Sequence, residues 1–144
     1  MKKEAHLTRW LAALVVLGAT ACSDNLTTRT DMVFDNQPPS GDDATFAFVQ
    51  ENVLDLHCAV SGCHAGSAFP NLSAGQAYAN LVDAPSSQRL KMVEPGYPDS
   101  SYFYLKVTDG PGMQGSTMPR GSGLLPQATL DAIREWIELG AEQD

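Results

Sequence analysis

The chain has 144 residues, a formal net charge of −8, 43% hydrophobic residues and three cysteines. So acidic a chain, with no basic stripe, is repelled by phosphate backbones, which argues against nucleic acid as a partner. With its N-terminus set aside, it is long enough for one domain with one modest core.

Residues 1–21 read as a secretory signal peptide. Lys2, Lys3 and Arg9 form a basic start, WLAALVVLGATA (10–21) supplies an apolar run too short to span a bilayer, and small residues precede Cys22. Cys22 after Ala19-Thr20-Ala21 resembles a bacterial lipoprotein processing site, with Ala19 where leucine is usual. That resemblance implies lipidation of Cys22. Cleavage there removes Lys2, Lys3, Arg9 and Glu4 and moves the net charge from −8 to −10. Export would place Cys58 and Cys63 in an oxidising compartment, where a disulfide between them can form. Residues 22–43 are polar, carry Pro38, Pro39 and Gly41, and predict a flexible tether.

Residues 44–144 form the expected folded domain. Asp42 or Asp43 is the expected N-cap of a first helix, in which Phe46, Val49, Val53, Leu56 and Val60 recur at helical spacing. The C-terminal end of that helix delivers Cys58. A second short helix follows Ser73, with Ala77, Tyr78 and Leu81 inward. Pro98 then opens a third helix through SSYFYLKV (100–107). Residues 109–123, DGPGMQGSTMPRGSG, hold too many glycines and prolines for a regular element. The last helix runs from Pro126 to Gly140, with Leu130, Ile133, Trp136 and Ile137 as its apolar face and Gly140 at C′. There is no strand-like alternation of useful length and no internal repeat. The predicted fold class is all-α, short helices around a long glycine-rich loop, and so much loop calls for something else to pack on.

The stretch HCAVSGCHAG (57–66) concentrates two cysteines and two histidines. It admits three readings: a covalent haem site, a metal knuckle or a small disulfide. A c-type haem needs two thiols for its vinyl groups and a histidine at the next position to reach iron. Cys58, Cys63 and His64 supply these in order, with four residues between the cysteines where the familiar signature has two. A second axial ligand would come from a distant loop. Met118, followed by Pro119, suits that role better than Met113, and Met92 lies in a segment expected to pack. In the disulfide reading, His64 is a loop histidine and Met118 a hydrophobic plug. A zinc knuckle from His57, Cys58, Cys63 and His64 has the right ligand types, but adjacent side chains rarely point at one ion. Copper bound by His64, a cysteine and Met118 requires a β-rich scaffold that this pattern lacks. His57 reads as a surface histidine, and Tyr102, Tyr104 and Trp136 as core aromatics. One of those aromatics, or Arg89 or Lys91, could hold a haem carboxylate.

With its N-terminal helix running into Cys…Cys-His, followed by VEPGYPDSSYFYLK (93–106), STMPRGSGLLP (116–126) and IREWIELGA (133–141), the chain resembles the small class of c-type cytochrome domains. It looks like the cytochrome-c-like modules of exported bacterial lipoproteins, over roughly residues 44–142. The resemblance implies three to five short helices and one covalent haem c. Cys58 and Cys63 would be its thioether cysteines, His64 the proximal ligand and Met118 the distal one. It further implies an electron carrier rather than an enzyme, since both axial positions would be filled. Its partners would be a redox protein of the cell envelope and, through the lipid on Cys22, the membrane. The expected location is the bacterial envelope, lipid-anchored and facing the periplasm or cell exterior. The alternative is a haem-free cytochrome-c-like module, stapled by a Cys58–Cys63 disulfide and acting in protein binding. A haem enzyme with an open position requires that Met118 not reach the iron.

Overall fold

The computed structural model describes residues 43–144. The signal peptide, Cys22 and nearly all of the tether lie outside the described residues. The described part contains four α-helices and no strand, only two isolated bridges, Val82 with Val93 and Pro85 with Lys91. It is all-α in the coarse sense expected. No helix among the described residues is long and apolar enough to cross a membrane.

The chain enters through α1 (Phe46–Val49). Its N-cap is Thr45, whose Oγ1 accepts the Phe48 N–H at 3.1 Å. That corrects the expectation of Asp42 or Asp43. Threonine at this position satisfies one of the donors that a helix start leaves without an intrahelical partner. Asp144 Oδ1, from the far end of the chain, accepts a second such donor, Ala47 N–H, at 3.1 Å.

α1 continues without a break into a π-type segment, Gln50–Cys58, closed by Ala59 N–H to the Leu54 carbonyl at 2.6 Å. The wider turn, roughly 4.4 residues rather than 3.6, changes which side chains face inward. Val49, Val53, Leu54 and Cys58 are buried, whereas Leu56 and Val60, expected in the core, are 62% and 38% exposed. A strict 3.6 period would have put Leu56 below Val53 and Val49. The widened turn rotates it outward and brings Leu54 in.

The second helix, α2 (Ala77–Leu81), buries Ala77 and Leu81 as expected, and Tyr78 sends its hydroxyl to the Ala141 carbonyl at 3.0 Å. The expected third helix is divided. Pro98–Ser100 forms a single 3₁₀ turn, and α3 (Tyr102–Thr108) starts after an extended Ser101. The fully buried Ser101 accepts Glu94 N–H at 2.8 Å and donates to the Tyr97 carbonyl at 2.9 Å. These local bonds compete with a continuous helix, as serine side chains commonly do. The free N–H groups of Tyr102 and Phe103 then go to the Lys91 and Met92 carbonyls at 3.0 and 2.8 Å.

The last helix, α4 (Gln127–Glu138), buries Leu130, Ile133, Trp136 and Ile137 as expected. Gly140, at φ 106°, ends it. Gly140 N–H bonds the Ile137 carbonyl and Ala141 N–H bonds the Trp136 carbonyl, the paired closure of a Schellman motif. Phe46 joins three helices: its ring meets Tyr78 edge-on at 5.1 Å and lies 5.7 Å from Trp136. Burial of each such large side chain contributes about 1.5–3 kcal/mol. This apolar seam sets where the ends of the π-type segment and of α3 stand, and the candidate site lies beside them.

Candidate functional site

A cavity of about 610 Å³ opens beside the end of the π-type segment. Its volume falls in the range of cofactor and small-molecule sites, about 300–1,000 Å³. Cys58, Cys63, His64 and Met118, the four residues singled out for cofactor binding, all line it. They come from two parts of the chain more than fifty positions apart.

Cys58 is buried at the last position of the π-type segment, and Cys63 is exposed; both are free thiols. Burial, with a smaller contribution from Cys63, pushes the Cys58 thiol up from 9.0 to about 11. The four residues between the cysteines fold back on themselves. Cys63 N–H bonds the Val60 carbonyl at 3.0 Å, and Gly62 takes φ 81°, the left-handed conformation that glycine accepts most readily in a turn. His64 N–H then returns to the Cys58 carbonyl at 3.0 Å. The enlarged gap is thus a self-contained turn, and Cys58 and His64 are bonded neighbours across it.

His64 is half-buried. Its Nδ1 lies 2.9 Å from the carbonyl oxygen of Pro70. A carbonyl only accepts, so Nδ1 carries the proton and the neutral ring keeps its lone pair on Nε2. This is how a protein presents imidazole as a metal ligand, with tautomer and ring orientation set by the other nitrogen's bond. The Leu72 N–H to His64 carbonyl bond, 2.8 Å, holds the same segment from its other side.

Met118 is half-buried on the glycine-rich loop and followed by buried Pro119. Its N–H bonds the Lys106 carbonyl at 2.8 Å, which ties the loop to α3. Met113 does not line the cavity; its sulfur receives Lys106 Nζ at 3.5 Å. Met92 lines the cavity but is buried, in the core. His57 is exposed at the cavity's edge, as expected of a surface histidine.

The cations nominated from the sequence are elsewhere. Lys91 pairs with Asp83 at 2.8 Å and Glu94 at 3.5 Å, and neither it nor Arg89 lines the cavity. Trp136 donates to the Glu142 carbonyl, and Tyr104 accepts from Arg134, so of the three aromatics only Tyr102 lines the cavity. Two cations that the sequence reading passed over do line it, Lys106 and Arg120. Burial, followed by the charge of Arg120, lowers the Lys106 ammonium from its ordinary value. Among the described residues, no aspartate or glutamate lines the cavity. Arg120 had one signal available, its place directly after Met118-Pro119.

The exposed apolar side chains tell the same story. Leu56, Val60 and Phe69 are 62%, 38% and 70% exposed, and all three border this cavity. Clustered exposed apolar surface marks a binding region, where a scattered leucine would not. Among the described residues, no three His, Cys, Asp or Glu side chains are grouped to hold a metal ion. The strand-rich scaffold of a copper site is likewise not found among them. What the cavity does offer is the His64 imidazole and the Met118 thioether, with exposed His57 and buried Met92 also on its lining, two thiols, apolar walls and two cations.

No family model, curated protein or solved structure matches this chain.

Proposed function

We propose that residues 44–144 are a monohaem c-type cytochrome domain, carrying single electrons in the bacterial cell envelope. Haem c would be attached through Cys58 and Cys63, with His64 Nε2 and Met118 Sδ as axial ligands. The observation that carries this reading is the single cavity lined by all four residues, with the His64 Nδ1–Pro70 bond leaving Nε2 free.

The residues present fit such a group. Apolar walls that include Leu56, Val60 and Phe69 suit a flat hydrophobic macrocycle, and Arg120 suits a carboxylate of it. When bound, haem iron supplies one-electron redox chemistry, at a potential that thioether ligation raises. The chain's part is to bind, orient and shelter. Pro70 orients the imidazole, α3 and the loop hold Met118, and the turn at 60–63 keeps Cys63 near the cavity despite the lengthened gap. With His64 and Met118 both held to iron, no position would be left there for a substrate, which favours electron transfer over catalysis. Anchorage through Cys22, a redox partner in the envelope and a location facing the periplasm or exterior belong to the same proposal; they rest on the sequence of residues 1–22 and on the resemblance.

The test is an absorption spectrum, oxidised and reduced, with a haem stain of the denatured band, on protein exported from cells that co-express a haem-attachment system. Sharp reduced α and β bands and haem that survives denaturation are expected, and Cys63→Ala should weaken attachment. A colourless chain made beside a control cytochrome that loads normally would sink the reading and return attention to the haem-free module.

A further inference from the structure

The glycine-rich loop that carries Met118 has no regular structure between α3 and α4. Gly110, Gly112, Gly115, Gly121 and Gly123 make it costly to order, because glycine loses the most conformational freedom on folding. Something must therefore hold Met118 in place, and most of the bonds that do so converge on one residue. Lys106 sits in the last turn of α3. Its carbonyl accepts Met118 N–H at 2.8 Å, while its ammonium donates to the Gln114 carbonyl at 3.0 Å, to the Ser116 carbonyl and to the Met113 sulfur at 3.5 Å. All three ammonium protons thus have acceptors on one short stretch, 113–116, directly before Met118. Other ties on this stretch are single bonds from separate residues: Thr117 Oγ1 to Asp109 Oδ1 at 2.7 Å, Tyr102 OH to the Gln114 carbonyl at 3.5 Å and Met113 N–H to the Gly110 carbonyl at 3.4 Å.

We infer that Lys106 is a positioning residue, whose side chain clamps segment 113–116 and so holds the Met118 sulfur at the cavity. The inference rests on the cytochrome reading, in which that sulfur is an axial ligand. The clamp works through geometry. An ammonium is a compact donor that can serve three carbonyl or sulfur acceptors around it, and charge-assisted bonds are the stronger kind. It spans both sides of the loop's entry, because main chain and side chain of the same residue bond different points of it. Without the ammonium, the Met118 N–H bond remains, but the preceding glycine-rich segment gains alternatives and the sulfur leaves the cavity more often. In a two-state description, any outside ligand competing for that position sees a larger competent fraction.

The full chain, made with and without a haem-attachment system, tests this as wild type, Lys106→Met and Lys106→Arg. Lys106→Met keeps length and removes the donors; Lys106→Arg restores charge and donors. An unchanged helical circular-dichroism signal shows that each variant folds. Without haem, exchange of the Met113 and Met118 amides, which donate to the Gly110 and Lys106 carbonyls, is expected to quicken about tenfold in Lys106→Met, as the charge-assisted bonds beside them are lost, and to recover in Lys106→Arg. With haem attached, Lys106→Met should keep the covalent haem and lose much of the weak far-red band of thioether-ligated ferric iron. It should also bind added imidazole about tenfold more tightly. Unchanged exchange overturns the clamp whatever the haem result. Faster exchange with an unaltered far-red band and imidazole affinity overturns the positioning of sulfur. A wild-type chain that takes up no haem overturns the cytochrome reading, and this inference with it, in a way the exchange data keep distinct.

Discussion

His64 and Pro70 are joined by a 2.9 Å bond from Nδ1 to a backbone carbonyl, across a loop of five residues. Because the acceptor is a carbonyl, the bond selects one tautomer and leaves Nε2 as the nitrogen with a lone pair. On the cytochrome reading, His64→Ala should therefore remove proximal ligation while costing the fold only on the order of 1 kcal/mol, the net worth of one hydrogen bond. Absorption spectra and urea melts of the same variant separate the two effects; a large stability loss with an unchanged spectrum would make His64 a structural residue.

Met118 and Met113 are predicted to behave oppositely. Met118 lines the cavity and Met113 does not. On the same reading, Met118→Ala should abolish the thioether signature and lower the reduction potential, since thioether ligation favours reduced iron. Met113→Ala should leave the spectrum intact. Redox titration of both variants decides the assignment, and a spectral loss confined to Met113→Ala would reverse it.

Cys58 and Cys63 should differ in reactivity when the chain is made without haem. Cys63 is exposed, whereas Cys58 is buried and its thiol is pushed up to about 11. By that value only ~0.1% of Cys58 is thiolate at pH 8, so a thiol-directed reagent should modify Cys63 at least about tenfold faster. Unreactive thiols that appear only after reduction would instead reveal a disulfide. The same burial predicts an alkaline limit to stability. The folded state holds the Cys58 proton above the ordinary 9.0, so this contribution is fully present below pH 9 and is lost as pH rises towards 11, by roughly 2–3 kcal/mol. Urea melts across that range, compared with Cys58→Ala, check the sign.

The turn at 60–63 predicts tolerance of shortening. Since Cys63 N–H bonds Val60 and His64 N–H bonds Cys58, Ser61 and Gly62 form an exposed bend outside the core, with Gly62 at the cavity wall. Deleting both restores two residues between the cysteines. The variant should fold with near-wild-type stability and take up haem from a standard attachment system at least as well as the parent. Loss of folding on this deletion would show that the bend is structural.

Trp136 is predicted to be the costliest single truncation. It is buried, packs 5.7 Å from Phe46, and its Nε1 donates to the Glu142 carbonyl at 3.0 Å. Trp136→Ala should cost about 3–5 kcal/mol through lost contacts and a cavity. Chemical denaturation measures it, and a loss under 1 kcal/mol would mean that α4 collapses to fill the gap.

Much of this protein follows from local pattern. α2, the apolar face of α4, the Gly140 stop and the irregular 109–123 loop were all legible, because each depends on side-chain period or on the conformational limits of glycine and proline. Cys58, Cys63, His64 and Met118 were legible as candidates because few residue types carry that chemistry. Their meeting at one cavity is a property of the folded chain. Tertiary structure alone settled what depends on distant partners. The π-type turn that exposes Leu56 and buries Leu54 has no period of its own in the sequence. The split at Ser101 depends on acceptors and donors at Glu94 and Tyr97. Arg89 and Lys91 gave way to Lys106 and Arg120 at the cavity because a surface cation's position is set by the backbone beneath it, which no composition or spacing encodes. The sequence determined which chemistry is available; the packing of α1, α2 and α4 around Phe46 and Trp136 decided where it stands, since burial acts between residues far apart in the chain.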